Sequence, residues 1–213
     1  MRVIAIDGTF ASGKGTLGRR VAAHYGFAYL DTGKLYRAVA QRVLTSGGDP
    51  DDAEQAVRAA RAISASDLED PILKSGPVGA AASKVAVHTD VRAALFDFQR
   101  DFAAQPQGAV LDGRDIGTVI CPDADVKLYV DADVNIRAER RYKELLGYGE
   151  DVTLEGITQQ LAERDARDQG RAIAPLKPAV DAHLLDTTNM SIDRAFAAAI
   201  AIIDAIIGAE SSK

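Results

Sequence analysis

Ile4-Ala5-Ile6-Asp7-Gly8-Thr9-Phe10-Ala11-Ser12-Gly13-Lys14-Gly15-Thr16-Leu17 decides the reading of this chain. Val3 to Ile6 is a short apolar run rich in β-branched residues, the pattern of a buried strand. The chain then turns through Gly8 and Gly13, and helical spacing starts at about Lys14, with Leu17, Val21 and Ala22 on one face. Strand, glycine-rich loop and helix, in that order, supply the context that gives G-x-x-x-x-G-K chemical meaning. Glycines let backbone N–H groups converge on phosphate oxygens, and the helix N-terminus adds partial positive charge. Lys14 adds a full charge for the outer phosphates. Gly8, Thr9, Phe10, Ala11, Ser12, Gly13, Lys14, Gly15 and Thr16 are therefore the expected phosphate-binding loop. The residue after Lys14 is Gly15, and the hydroxyl usually found there comes one place later, at Thr16. That form points to small-molecule kinases and leaves no residue assigned as a direct metal ligand. Gly13-x-Gly15-x-x-Gly18 also matches the dinucleotide fingerprint, with Asp31 at a plausible distance. There the first glycine should follow the strand directly, whereas Asp7 to Ser12 intervene here, so that reading is rejected.

The 213 residues suffice for one α/β domain with insertions. A hydrophobic content of 47% and a charged content of 26% are ordinary for a globular protein. A net charge of −6 argues against sequence-independent nucleic-acid binding. Cys121 stands alone, so no disulfide framework is expected; it is read as a small buried residue, in keeping with a reducing cytoplasm. His24, His88 and His183 lack metal-ligand spacing. The chain enters a strand at once, without the pattern of a signal peptide. The apolar stretch Phe196–Ile207 is interrupted by Asp204 and is too short to span a bilayer. A cytoplasmic monomer without nucleic-acid or membrane partners is the expectation.

Strands alternate with helices, which implies an α/β fold with a parallel five-stranded sheet and helices on both faces. Phe27 to Leu30, Ala109 to Leu111, Val126 to Val130 and Leu184-Leu185 are the further expected strands. Residues 46–102 interrupt the alternation and read as a mostly helical inserted lobe. Within it, Ala53–Ile63, Ala80–Val87 and Val91–Phe102 are expected helices and Ser64–Gly79 a loop. Ser191 is a plausible N-cap for a final helix whose Ile192, Ala195, Phe196, Ala199, Ile203 and Ile206 form a core stripe.

Ligands of parallel α/β sheets bind beyond the carboxyl ends of the strands. Those ends carry Asp7-Gly8, Asp31-Thr32-Gly33, Asp112-Gly113-Arg114-Asp115 and Asp131. Asp112 is expected near the β and γ phosphates and their metal ion. Arg164, Arg167, Asp168 and Arg171 recur at three- and four-residue spacing and are expected on one helical face. With Arg137, Arg140 and Arg141 they suggest a mobile arginine-rich lid over residues 137–175, since arginine forks match phosphate oxygens.

Leu30-Asp31-Thr32-Gly33-Lys34-Leu35-Tyr36-Arg37, Leu111 to Val119 and Arg164 to Leu176 together resemble the bacterial cytidylate kinases, within the nucleoside monophosphate kinases, over nearly the whole chain. The resemblance implies a single P-loop kinase domain over 1–213, with residues 46–102 binding the acceptor. It implies ATP as donor, CMP and dCMP as acceptors, and Mg2+ with the ATP. Lys14, Asp112, Arg114 and Arg164 would be catalytic. Arg37, Arg114 and Arg171, with Thr32, would hold the acceptor phosphate. Ser83, Arg92 and Asp115 would line the cytosine site, and Asp168 would contact the ribose. Many members carry a small β-containing lobe where Ser64–Gly79 lacks alternating strand runs. A P-loop kinase for another small acceptor is the nearest rival. A nucleotide-dependent switch is a third reading, but the Asn-Lys-x-Asp guanine reader of a GTPase is missing from the sequence.

Overall fold

The structure is a computed structural model that describes residues 2–210; Met1 and residues 211–213 of the expected domain lie outside the described residues. Five parallel strands form one sheet: β1 (Val3–Gly8), β2 (Ala28–Asp31), β3 (Ala109–Gly113), β4 (Val126–Asp131) and β5 (His183–Asp186), in the order β2-β3-β1-β4-β5. Successive strand residues face opposite sides, and both sides are apolar, as in a sheet covered on both faces. Ala5, Leu30 and Leu111 belong to one core; Ile4, Ile6, Val110 and Leu128 belong to the other. Helices α1 (Lys14–Tyr25) and, near the C-terminus, α8 (Ile192–Glu210) cover the second face through Leu17, Val21, Ala199 and Ile203. Ser191 Oγ accepts from the Arg194 N–H at 3.2 Å, the expected cap of α8.

The first face carries α2 (Thr32–Thr45), α3 (Ala53–Arg61), α4 (Gly76–Val85) and α5 (Thr89–Ala103). Here the expected loop Ser64–Gly79 is corrected. Two 3₁₀ turns, Ala65–Glu69 and Pro71–Lys74, fill it, and α4 begins at Gly76 rather than Ala80. Ser64 and Asp67 form a reciprocal capping box, and Asp70 caps the second turn through Ile72 N–H. Pro71 and Pro77 open helical elements, where a missing N–H costs nothing. Leu68 and Leu73 anchor the turns in the core.

Between β4 and β5 run α6 (Val134–Gly147) and α7 (Leu154–Gln169), joined over a small core of Ala138, Leu145, Ile157 and Leu161. One π-helical turn, Ile116–Ile120, follows β3. The Asp7 carboxylate at the end of β1 accepts from Ile116 N–H and Gly117 N–H, both at 2.7 Å. Burial pushes that carboxyl up to about 7, against the two backbone donors.

The chain leaves the sheet at Gly8, where φ is 153° and a Cβ would sit 1.9 Å from the Val130 carbonyl oxygen. No L side chain fits there without displacing β4. Gly8→Ala is expected to lower unfolding free energy by about 3 kcal/mol or more; a denaturant midpoint unchanged from wild type would contradict this packing.

Candidate active site

A cavity of about 700 Å³ opens at the carboxyl ends of β1, β2 and β3. Phe10, Ala11, Gly13 and Lys14 of the glycine-rich loop line it. Gly13, with φ of 93°, is the N-cap of α1, and no side chain caps the helix, so its first N–H groups are left for a ligand. The Lys14 ammonium lies 3.4 Å from the Thr9 carbonyl. Burial, then Arg114, pulls it down to about 7, while Asp112 and Asp31 oppose the fall. An anionic phosphate at this position favours the charged form.

The loop is held from behind. Arg137 donates to the Phe10 carbonyl (3.2 Å), and Arg140 and Thr187 donate to the Ser12 carbonyl (3.4 and 2.8 Å). Between those carbonyls Ala11 adopts φ of 61°, a left-handed conformation costing about 1 kcal/mol for a non-glycine residue. A planar trans peptide directs its N–H opposite to its C=O, so pinning the carbonyls outward turns the next N–H groups inward. This corrects the expectation for Arg137. It is a buried side chain paired with Asp165 at 2.7 Å and Ala132 O at 2.8 Å, and it lines neither cavity. Arg140 lines only the second cavity described below, whereas Arg141 lines both. Spacing along α6 could not say which arginines turn towards the loop backbone.

Asp112 is buried beside Lys14. Burial pushes its carboxyl up to about 6, Asp31 adding to this and Lys14 opposing it. The Tyr29 hydroxyl donates to Asp112 and lies 3.2 Å from the Gly15 carbonyl. Burial, then Asp112 and Asp31, keeps that phenol protonated. Tyr29 also explains Gly18: a Cβ there would meet the Tyr29 ring at 2.8 Å, so this glycine serves packing. Neither role was visible from spacing. Among the described residues no group of three or more His, Cys, Asp or Glu could hold a metal.

On the acceptor side, Thr32 Oγ1 donates to Asp112 O at 2.7 Å. Arg92 and Asp115 form a buried ion pair, with the guanidinium 5.5 Å from the Tyr36 ring centroid. Ser83, buried on α4, lines the same cavity. Arg37 lines it without a hydrogen bond or ion pair among the described residues. Arg171 lies beyond the end of α7 and not on the expected helical face, because the helix stops at Gln169. The following loop returns, with Leu176 N–H on Asp168 O at 2.8 Å, and keeps Arg171 paired with Asp168. Arg164 stacks on Phe10, 4.1 Å from its centroid, and burial, with Arg114 next, pulls it down to about 9. Arg167 does not line the cavity and donates to Ser83 Oγ, which does.

A second cavity of about 440 Å³ adjoins the other side of the loop. Leu17, Met190, Ile192 and Ala195 supply its apolar wall. Sequence reasoning missed Thr187 to Ile192, although the rule that singled out Asp112 applies equally to the end of β5.

Asp168 is the most heavily paired carboxylate: Arg114 Nε lies at 3.0 Å, Arg171 is in contact and Arg164 is at 3.9 Å. Burial alone would raise its pKa, but the three guanidiniums hold it at about 2. A depressed pKa gives stability present above the unfolded value and lost as pH falls through the folded one. Asp168→Asn is expected to cost about 2 kcal/mol at pH 7. Denaturation from pH 7 to 2 should show the gap to wild type closing between about pH 4 and pH 2; a gap constant over that range contradicts the assignment.

Comparison with known proteins agrees with this arrangement. The family model described as cytidylate kinase matches residues 4–205. The cytidylate kinase of Afipia carboxidovorans is 56% identical over 202 residues, covering 95% of this chain and 97% of its own. That of Xanthobacter autotrophicus is 57% identical over 203 residues, covering 95% and 97%. A solved structure of an uncharacterized protein from Eubacterium ventriosum covers 96% of this chain and 99% of its own with a TM-score of 0.55; at 16% identity it shows a shared fold. From sheet, phosphate loop and these matches together, the chain belongs to the cytidylate kinase family.

Proposed function

We propose that the chain transfers the terminal phosphoryl group of ATP to CMP and dCMP, with the triphosphate on the loop from Gly8 to Thr16. The observation that carries this reading is a surplus of buried cationic donors facing one cavity. The Nε–H groups of Arg164 and Arg171 are buried without a hydrogen-bond partner in the protein. With Lys14, Arg37 and Arg114 they make a site suited to two phosphate groups. An oxygen of the acceptor phosphate is the nucleophile, so no strong general base is needed. Lys14, Arg114 and Arg164 neutralise charge on the transferring group, while Thr32, Arg37 and Arg171 orient the acceptor. Ser83, Arg92 and Asp115 read the base, and Asp168 reads the sugar. The second cavity takes the adenine, with Met190 and Ile192 against its faces.

Mg2+ accompanies the ATP in this reading. Asp112, Asp31 and the Thr16 hydroxyl are hard oxygen donors near Lys14, and a site poor in protein ligands suits an ion that keeps waters and phosphate oxygens. Bound there, Mg2+ would offset charge on the donor phosphates.

Residues 137–175 act as a lid over the acceptor lobe 46–102. Polar contacts join them: Arg164 to Gly79 O (3.2 Å), Arg141 to Lys74 O (3.3 Å) and Glu150 to Gly76 N–H (2.8 Å). Such contacts exchange readily with water. The chain works as a cytoplasmic monomer, for which the lone buried Cys121 suits a reducing compartment. Among the described residues no helix is long and apolar enough to cross a membrane.

ADP release from Mg-ATP, with CMP, dCMP, UMP, AMP and GMP offered separately against an acceptor-free blank, tests this. CMP should exceed AMP and GMP by about tenfold or more in kcat/KM, or 1.4 kcal/mol. An AMP lead would overturn the base assignment, and a blank equal to every acceptor would leave an NTPase. Lys14→Met should lower kcat by about 100-fold or more with an unchanged circular dichroism spectrum.

A further inference from the structure

We propose that Arg167 is a positioning residue for choice of the acceptor base: it fixes the Ser83 hydroxyl as a hydrogen-bond donor towards the acceptor cavity, and does so only when α7 is closed on α4. The proposal rests on the reading of Ser83, Arg92 and Asp115 as the base site.

Arg167 Nη1 donates to Ser83 Oγ at 2.6 Å. The two residues lie on different elements, α7 and α4, and are 84 positions apart. Ser83 is 2% exposed and lines the cavity, whereas Arg167 does not line it. Among the described residues Arg167 forms no ion pair, although its neighbours Arg164 and Arg171 both pair with Asp168. Its cation is committed to a neutral hydroxyl.

A hydroxyl has one proton and two lone pairs. Arg167 occupies a lone pair from behind. No described protein atom accepts the Ser83 proton, which leaves it available to an acceptor in the cavity. The other two groups have fixed polarity: Arg92 only donates, and the Asp115 carboxylate paired with it accepts. Ser83 is thus the one member of the trio able to change role.

That matters because the Watson–Crick edges of the two pyrimidines carry the same groups in different order. Cytosine presents a donor followed by two acceptors; uracil presents acceptor, donor, acceptor. A serine free to turn could accept from the uracil ring N–H. With one lone pair taken by Arg167, turning the other towards the uracil N–H would leave the buried Ser83 proton without an acceptor. Specificity then depends on lid closure, since the group that sets the polarity of Ser83 arrives on α7.

The test compares kcat/KM for CMP and UMP on the same preparation, a ratio insensitive to the fraction of folded enzyme. R167M should reduce the CMP-to-UMP ratio by about tenfold or more, chiefly through the KM for CMP. R167K, which keeps a cationic donor, should recover part of it. In an S83A background, R167M should change the ratio by less than about twofold, since the two substitutions act through one hydroxyl. If R167M leaves the ratio within about twofold of wild type, or costs as much in S83A as in the parent, the role of Arg167 is overturned. If S83A alone leaves the ratio unchanged, the base-site reading falls and this proposal with it.

Discussion

Arg114, Arg164 and Arg171 reach the cleft from the turn after β3, from α7 and from the loop beyond it, and all three converge on the carboxylate of Asp168. Three largely enclosed guanidiniums so close together would repel strongly in a region of low dielectric. One carboxylate cannot neutralise them all. It offsets enough charge for the cluster to fold and leaves a net positive field for the ligand. The orphaned Nε–H groups of Arg164 and Arg171 are the visible remainder of that imbalance. A fully compensated cluster would be more stable and would bind phosphate poorly.

The phosphate loop follows a related rule in reverse. Its own charge is only Lys14, and its shape is held by groups outside the cavity. Arg137, Arg140 and Thr187 take its carbonyls, while the Phe10 ring lies beneath Arg164 and beside Arg141, 5.5 Å from its centroid. Arginines of one helix pair therefore perform two tasks. Some order the backbone of the glycine-rich loop, and others line the cavity. Loop geometry and the placement of α7 are thus parts of one arrangement.

Much of this was legible in the sequence because backbone constraints leave strong marks. The order strand, glycine-rich loop, Lys14 and helix admits few folds, and aspartates at strand ends are placed by topology alone. Ser83, Arg92 and Asp115 are singled out by family motifs, and the structure brings all three to one cavity. What escaped was whatever depends on direction in three dimensions. Periodicity put arginines on α6 but could not turn Arg137 towards Phe10 rather than the cleft. Proline in Ser64–Gly79 reads as a breaker, although it also starts helical turns, as Pro71 and Pro77 do here. The second cavity draws its wall from α1, the loop after β5 and α8, segments that share no local pattern.

The contact between Asp7 and the turn after β3 has a mechanical consequence. Two short hydrogen bonds tie the strand feeding the phosphate loop to the segment following Arg114 and Asp115. Asp7, Ile116 and Gly117 are all buried, and none of them lines either cavity. The segments that carry the glycine-rich loop and Arg114 are therefore held in register with each other. Compliance is left to the helices above them.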